Sequence, residues 1–253
     1  MCFDTDSRPP IAPIAGGALD AEALRLTAAD GATFRAHVAR AAAPTGAGMI
    51  VLPDVRGLHR YYEELTLRFA EVGIDAIGID YFGRTAPDDD RGDAFPYMDH
   101  VAETRYAPLL ADVAAAADAL RTATVGRVTS LYTVGFCFGG RLSFDCAAAG
   151  LGLAGVIGFY GWPTGRPRAD VPVPVEVVGA MRGRVLGIFG GADEGIGPEA
   201  VAEFEAALTE AGVAHEIVTY DGAPHSFFDR KQADFADASA DAWRRVLAFV
   251  AVG

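Results

Sequence analysis

The sequence predicts one α/β domain, built on a mostly parallel, twisted sheet with helices on both faces. Short continuous apolar runs of strand length alternate along the chain with longer segments of helical spacing, a pattern typical of parallel sheets covered on both faces. The chain has 253 residues, of which 51% are hydrophobic, which is enough for one large core and argues against intrinsic disorder. No internal repeat or linker divides it, so we expect an N-terminal arm at 1–20 and a single domain at 21–253.

The predicted elements follow in chain order. Asp30 and Gly31 mark the turn of a short antiparallel hairpin, and three prolines in the arm before it block regular structure there. The hairpin strands are predicted at 24–28 and 33–40, the parallel strands at 49–52, 74–79, 128–136, 153–160, 185–189 and 216–220, and the helices at 61–72, 101–120, 142–149, 199–211 and 235–250. Right-handed crossovers bring the carboxyl ends of the parallel strands to one edge, where α/β sheets bind ligands. The irregular stretches at 82–98 and 161–173 both follow strands and should overhang that edge.

Composition excludes several classes of function. Asp and Glu number 34 against 21 Lys and Arg, which gives a net charge of −13. A chain this acidic repels phosphate backbones and anionic lipids, so neither nucleic acid nor a membrane is an expected partner. No apolar stretch approaches the ~20 residues that a spanning helix needs, and the first residues lack the pattern of a secretory signal. Three cysteines are too few for a disulfide framework. We therefore expect a cytoplasmic protein, monomeric or homodimeric, that acts on a small molecule.

Neither a metal nor a cofactor is expected from the motifs. The histidines at 37, 59, 100 and 215 lack partners at metal-ligand spacing. The glycines of 150–155 match a dinucleotide-binding pattern by letter, but they precede a strand instead of joining a strand to a helix. The chemistry must therefore come from side chains.

The hexapeptide Gly-Phe-Cys-Phe-Gly-Gly at 135–140 is the strongest candidate for that chemistry. It lies between a predicted strand and a helix and matches the nucleophile elbow, with Cys137 in the nucleophile position. Glycines two residues to either side let the backbone turn sharply, and the helix that follows favours a thiolate at its N-terminus. None of the five serines has glycine at both of these positions. The alternative is a buried structural cysteine in a glycine-rich turn.

Two further residues favour catalysis over that alternative. Asp193 follows the strand at 185–189, and His225 follows the strand at 216–220. The chain order of nucleophile, acid and histidine is the one that this architecture uses. Each residue lies just past a strand end, so all three should meet at one edge of the sheet. We interpret Cys137, Asp193 and His225 as a catalytic triad.

With these residues in place, the chain resembles the dienelactone hydrolase family of α/β-hydrolases from about residue 33 to the last helix. The most specific segments are the elbow, Gly-Phe-Tyr-Gly at 158–161, Gly-Gly-Ala-Asp at 190–193 and Pro-His-Ser-Phe at 224–227. The resemblance implies the α/β-hydrolase fold and hydrolysis of a lactone or carboxylic ester of the carboxymethylenebutenolidase type, with an anionic substrate expected. It also implies an acid beside the resting cysteine, where this chain has Asp54 and the best-known members have Glu. Arg84 matches an arginine that grips a substrate carboxylate, and Arg230 lies one residue past the place of a second one.

The expected mechanism is nucleophilic catalysis through a thioester. His225 takes the thiol proton, Asp193 fixes the imidazole, and the amides of Phe138 and Val55 hold the oxyanion. Aromatic residues near the expected mouth are interpreted as substrate-binding: Tyr81, Phe82, Tyr160, Trp162 and Phe227. Two alternatives stay open. One is a broad-specificity esterase, thioesterase or organophosphate hydrolase for neutral substrates, and the other is a non-catalytic ligand-binding protein with the same fold.

Overall fold

The computed structural model describes residues 3–123, 128–166 and 170–251. Within these ranges the strands form an eight-stranded sheet with the order β1-β2-β4-β3-β5-β6-β7-β8. The strands are β1 Ala18–Thr27, β2 Thr33–Ala41, β3 Ala47–Leu52, β4 Asp75–Ile79, β5 Ser130–Phe136, β6 Gly155–Phe159, β7 Arg184–Gly190 and β8 His215–Tyr220. β1 pairs with β2 and β2 with β4 in antiparallel fashion, and the pairs from β4 to β8 are parallel. The predicted fold class is confirmed.

Helices connect the parallel strands and cover the sheet. They are α1 Arg60–Glu71, α2 Tyr97–Glu103, α3 Tyr106–Ala123, α4 Phe138–Cys146, α5 Pro174–Val177, α6 Pro198–Glu210 and α7 Ala236–Ala251. β3, β4 and β6 are buried along their whole length, which explains their continuous apolar sequence. No helix within the described ranges combines the length and apolar character that crossing a bilayer requires.

Two helices differ from the sequence prediction. The single helix predicted at 101–120 is divided, because Thr104 has an extended backbone between α2 and α3. Pro108 lies in the first turn of α3, where its missing N–H costs nothing, whereas it would break a continuous helix. Helix α4 begins at Phe138, four residues earlier than predicted, because Gly139 and Gly140 pack closely against neighbouring backbone instead of extending a loop.

The N-terminal arm is not loose. Phe3, Ser7 and Pro9 are buried, and the amide of Phe3 donates to Asp54 Oδ2 at 3.0 Å. β1 begins at Ala18, so the last residues of the predicted arm already belong to the sheet. The prolines exclude helix and strand but leave the segment free to pack as an irregular chain, which is what the sequence pattern misses.

Both irregular stretches are fixed by arginines. Arg91 pairs with Asp80 at 2.7 Å in the interior and anchors the stretch at 82–98 beside the end of β4. Arg141, on α4, donates to the carbonyl oxygens of Pro172 at 2.6 Å and Arg166 at 3.0 Å. The stretch that follows β6 is therefore tied to the helix that follows the elbow.

Candidate active site

Cys137 lies in the sharp turn between β5 and α4. Its φ of 56° and ψ of −112° are unusual for a residue with a side chain, and such conformations typically cost about 1–3 kcal/mol and cluster at functional sites. The turn is held by the amide of Cys137, which donates to the Phe159 carbonyl at 3.0 Å. A Cβ at Gly135 would overlap the carbonyl of Gly139, and a Cβ at Gly139 would overlap the carbonyls at the end of β3. The glycines of the elbow are therefore required by close backbone packing.

His225 and Asp193 form a hydrogen-bonded pair. Nδ1 of His225 lies 2.6 Å from Asp193 Oδ2, while Asp193 Oδ1 accepts the amides of Gly195 at 2.8 Å and Ile196 at 3.3 Å. Burial alone would raise the pKa of Asp193, but the hydrogen bond and charge of His225, together with these amides, hold the pKa below its usual value. Asp193 is thus an ionised acceptor that fixes the tautomer and orientation of the ring.

The Cys137 side chain lies beside the imidazole. Burial alone would lower the pKa of His225, but the hydrogen bond from the ring to Asp193 and the proximity of the Cys137 side chain raise it to about 9. Nε2 is buried and has no nitrogen or oxygen partner within the described residues, which leaves the sulfur as the group it can serve. The ring can therefore hold a proton beside Cys137 at neutral pH.

Asp54 is a buried carboxyl group in the loop after β3. Its Oδ2 accepts the amide of Phe3 at 3.0 Å and its Oδ1 that of Arg56 at 2.8 Å. Burial and the neighbouring Cys137 raise the pKa of Asp54 to about 7. The structure thus brings Asp54 into the electrostatic neighbourhood of the cysteine, where its charge changes near neutral pH.

Two tyrosines fix the same loop. The hydroxyl of Tyr81 donates to the carbonyl oxygens of Pro53 and Asp54, and the amide of Asp54 donates to Tyr62 Oη at 3.0 Å. Val55 follows directly and is buried, as is Phe138 at the start of α4. Tyr81 therefore supports the backbone of the loop, whereas the sequence had suggested that it contacts substrate.

A cavity of about 380 Å³ opens beside Asp193 and His225. Trp162 forms one wall, with its ring centroid 4.9 Å from that of His225 and its Nε1 donating to the Gly195 carbonyl at 2.9 Å. The lining residues are Phe3, Trp162, Ala192, Asp193, Glu194, Gly195, Pro224, His225, Ser226, Asp229 and Gln232. Cys137 is 2% exposed and is not among them. The cysteine is therefore buried and does not line this cavity.

Tyr160 is buried and packs against His225. Its ring centroid lies 4.9 Å from the imidazole, and its φ of 37° is positive. Its hydroxyl is buried without a hydrogen-bond partner within the described residues. Burial, followed by the nearby Tyr61, Asp54 and Cys137, raises the pKa of this phenol, so the group stays a neutral donor close to the cysteine.

The family assignment follows from comparison with known sequences and structures. A model of the dienelactone hydrolase family matches residues 34–252. The chain belongs to the dienelactone hydrolase family. It is similar to a carboxymethylenebutenolidase from Rhodococcus opacus, with 33% identity over 219 residues, 83% of each chain. A structure from Klebsiella pneumoniae, assigned to the dienelactone hydrolases, has a TM-score of 0.78 at 28% identity and covers 92% of this chain and 99% of its own. A dienelactone hydrolase-like promiscuous phosphotriesterase from metagenomic libraries shares the fold, with a TM-score of 0.73 at 22% identity and coverage of 91% and 98%.

Membership confirms the resemblance that the motifs predict. The protein has the α/β-hydrolase fold and is a hydrolase of ester bonds. Within the described ranges, no three His, Cys, Asp or Glu side chains are grouped as a metal ion would need.

Arg84 is the clearest departure from the site expected of a dienelactone hydrolase. Its guanidinium donates to Asp112 through Nε at 3.0 Å and Nη2 at 2.7 Å, and to Asp30 through Nη1 at 2.6 Å. Arg84 does not line the cavity beside His225. Two carboxylates of the protein engage its fork of donors in this structure, and the role of Arg84 in gripping a substrate carboxylate stays a prediction.

Three other residues nominated from the sequence also lie away from that cavity. Phe82 is buried against Phe95, with ring centroids 5.7 Å apart, and Phe227 is buried 5.9 Å from the ring of Tyr160. Arg230 is exposed, donates to the Pro9 carbonyl at 3.2 Å and lines an adjoining cavity of about 430 Å³. Only Trp162 among the predicted aromatic contacts lines the cavity itself. Phe3 was not predicted from the sequence, where its one visible signal is that it is the single aromatic side chain of residues 1–20.

Proposed function

We propose that this dienelactone hydrolase cleaves a carboxylic ester or lactone through a thioester on Cys137. The observation that carries the proposal is the 2.6 Å contact of His225 with Asp193, made beside a cysteine in the strained turn of an elbow. A structural cysteine would need neither the strained backbone nor a buried ion-stabilised imidazole next to it. The order of the three residues along the chain gives independent support.

Acylation begins from the ion pair of the Cys137 thiolate and the His225 imidazolium. The sulfur attacks the carbonyl carbon, a C–S bond forms, and the carbonyl electrons move to the oxygen. When the tetrahedral intermediate collapses, the C–O bond to the leaving group breaks and the imidazolium gives its proton to the departing oxygen. Asp193 stays ionised and keeps the ring oriented throughout.

Deacylation uses the same residues in reverse roles. Neutral His225 takes a proton from water, the resulting hydroxide attacks the thioester carbonyl, and the C–S bond breaks. The products are a carboxylic acid and the regenerated pair of thiolate and imidazolium. For a lactone, the acid and the alcohol are one molecule.

The amides of Phe138 and Val55 are proposed as the oxyanion hole. Neither amide has a hydrogen-bond acceptor within the described part of the chain, and buried amides otherwise nearly always find one. Phe138 begins α4, so the positive end of the helix dipole adds to its N–H. The hydroxyl of Tyr81 holds the loop that carries Val55. Removing one such donor costs about 10²–10³-fold in kcat in comparable enzymes.

The cavity favours a neutral substrate. Its lining includes the carboxyl groups of Asp193, Glu194 and Asp229, and no Lys or Arg occurs among its described lining residues. An anionic acyl group would meet repulsion there, whereas Trp162 offers an apolar surface. We therefore place a neutral ester or lactone first.

An anionic lactone is the second candidate, favoured by the name of the Rhodococcus opacus relative. Arg230 is the cation that could serve it. The cavity that Arg230 lines shares Asp229 and Gln232 with the cavity beside His225, so a long substrate could extend from one to the other.

The test of the nucleophile uses two cysteine variants. We expect Cys137→Ala to lose on the order of 10³-fold or more of the kcat for p-nitrophenyl acetate. Cys146→Ala is the matched control, because Cys146 is also buried but burial raises its pKa to well above the usual range of thiols. Mass spectrometry of acid-quenched enzyme should find the acetyl group on the peptide of Cys137. Turnover that persists in Cys137→Ala, or an acyl group elsewhere, would refute the thioester mechanism.

Substrate charge is tested with Arg230→Gln and Arg84→Gln. If the natural substrate is neutral, neither variant changes kcat/KM for neutral esters once the rates are normalised to the concentration of folded protein. A selective loss on an anionic lactone in Arg230→Gln, with Arg84→Gln unchanged, would establish the second candidate. A selective loss in Arg84→Gln would restore the role that its contacts argue against.

A further inference from the structure

Phe3 lines the cavity beside His225 and packs near Phe136, the residue that precedes the buried cysteine. It belongs to the N-terminal segment 3–9, which lies outside the part of the chain that the family model matches. Its side chain lines the cavity beside His225, although the residue is only 2% exposed. Cys137, equally buried, does not line that cavity.

The ring of Phe3 packs on the aromatic cluster behind the site. It stacks on Tyr61 with ring centroids 4.0 Å apart and lies 5.9 Å from Phe136 and 6.3 Å from Tyr160. Phe136 directly precedes Cys137 in the elbow. The amide of Phe3 donates to Asp54 Oδ2 at 3.0 Å, which holds the backbone of the segment at the same depth as the loop after β3.

The rest of the segment is tied to the connection that follows His225. The amide of Arg8 donates to Asp229 Oδ1 at 3.2 Å, and the amide of Arg230 donates to the Arg8 carbonyl at 3.0 Å. Nζ of Lys231 pairs with Asp6 at 2.6 Å. These contacts fix the position of the segment that carries Phe3 relative to the loop that carries the imidazole of His225.

We propose that Phe3 is a specificity-determining residue, which restricts the size of the group that can reach Cys137. This inference rests on the proposed function of Cys137 as the nucleophile. Phe3 forms the wall that a carbonyl carbon must pass to approach the sulfur from the cavity. Small acyl groups pass beside the ring, whereas bulky ones are held in the outer cavity by contact with it.

The test measures access to Cys137 directly, without ester turnover. Second-order rates of labelling by iodoacetamide and by the bulkier N-phenylmaleimide are compared for the wild type, Phe3→Ala and Phe3→Leu. Peptide mass spectrometry restricts the measurement to Cys137, because the chain also contains Cys2 and Cys146. We expect Phe3→Ala to raise the ratio of bulky to small labelling about tenfold, the lower end of the effect of steric differences in apolar pockets. Phe3→Leu keeps an apolar anchor for the segment, so its labelling ratio should lie between those of the wild type and Phe3→Ala.

The control is Ile14→Ala, which shortens a half-exposed apolar side chain further along the same arm and outside both cavities. It should leave the ratio unchanged. In parallel, kcat/KM for p-nitrophenyl benzoate relative to the acetate should rise in Phe3→Ala. An unchanged labelling ratio in both Phe3 variants would overturn the inference and leave the proposed function intact. If the ratio changes but Cys137→Ala still hydrolyses esters, the proposed function fails while the role of Phe3 as a barrier stands.

Discussion

The proton on His225 is held from two directions. Asp193 accepts from Nδ1 at 2.6 Å, the Cys137 side chain lies on the other side, and together they raise the pKa of the ring to about 9 against the opposing effect of burial. The imidazole is therefore charged over the neutral range. A charged ring can give its proton to an alkoxide leaving group, which is the step that an alkyl ester or lactone requires.

From this we expect kcat/KM for an alkyl ester to fall as the pH rises above about 9. Asp193→Asn removes the hydrogen bond and the charge that raise the pKa of His225, so the fall should begin at lower pH. The kcat should also drop, by a factor on the order of 10⁴ if the pair works as an Asp–His pair does in serine hydrolases. The measurement is a pH-stat profile from pH 6 to 10. Asp221→Asn, at an exposed carboxylate in the same region of the chain, should leave the profile unchanged; a profile that stays in place in Asp193→Asn would contradict the assignment.

Asp54 opposes the negative charge on the sulfur. Burial and the neighbouring Cys137 raise the pKa of Asp54 to about 7, so the carboxyl and the thiol compete to carry one charge. Neutralising position 54 should therefore favour the thiolate. Asn keeps an oxygen that can accept from the amides of Phe3 and Arg56.

We expect Asp54→Asn to accelerate iodoacetamide labelling of Cys137 several-fold at pH 7 to 8. At pH 5, where the carboxyl of the wild type is protonated, the two proteins should react at similar rates. The labelling rate of the Cys137 peptide, measured from pH 5 to 8 in both proteins, tests this expectation. Slower labelling in Asp54→Asn at neutral pH would instead identify Asp54 as a base that takes the thiol proton.

The elbow depends on contacts between β5, α4 and the end of β3 more than on any single side chain. A Cβ at Gly135 would overlap the backbone of Gly139, which cannot move without shifting the first turn of α4. Gly179, in a short turn after α5, has no atom near the position of an added Cβ and no positive φ. Gly179 is therefore a suitable control position for an alanine substitution at Gly135.

We expect Gly135→Ala to destabilise the protein by about 1–3 kcal/mol or more, as forced overpacking of a close-packed interior does. Activity of the folded fraction should fall as well, because the displaced turn moves Cys137 and the amide of Phe138. Gly179→Ala should leave both unchanged. Urea unfolding and kcat measured at matched folded fraction test this. A Gly135→Ala enzyme with normal stability and normal kcat would show that the elbow tolerates movement.

Most of the elements and the meeting of Asp193 with His225 were predictable because they depend on local signals. Continuous apolar runs, helical spacing and the glycines around Cys137 are short-range patterns, and the strand ends place Asp193 and His225. Arg84 shows a contact that local sequence patterns cannot predict. Its spacing matches the family, but Asp112 on α3 engages its guanidinium, and nothing in the local sequence reports that contact.

Phe3 also shows that local sequence patterns do not report long-range contacts. The prolines of the arm correctly exclude helix and strand, yet irregular backbone can still pack, and the partners of Phe3 are far along the chain. Asp54 was found by position, whereas its raised pKa depends on burial that only the folded chain creates. Non-local contacts therefore decide the walls of the candidate site, while local sequence identifies the proposed nucleophile.

The titrating groups of the site also set how the stability of the folded chain depends on pH. His225 has a folded pKa of about 9, above its usual 6.5, so its stabilising contribution is complete below 6.5 and is lost as the pH rises through 9. Asp54 has a folded pKa of about 7, above its usual 3.8, so its protonated form stabilises the fold at low pH and that contribution is lost as the pH rises from about 4 through 7. His59 acts in the other direction, since burial lowers its pKa to about 4, but its contribution is complete above 6.5.

We therefore expect the melting temperature to fall steadily between pH 6.5 and 9. Each kcal/mol lost corresponds to ~2–4 °C for a chain of this size. The net charge of −13 adds self-repulsion in the same direction, so the scan is run by calorimetry in 0.5 M NaCl, which screens surface charges more than buried ones. His225→Gln should flatten this slope, whereas Asp54→Asn should change the pH dependence of the melting temperature mainly below pH 7, where the wild-type carboxyl is protonated only in the folded state. A melting temperature that rises over this range in high salt would show that neither group is buried with the pKa that its neighbours impose.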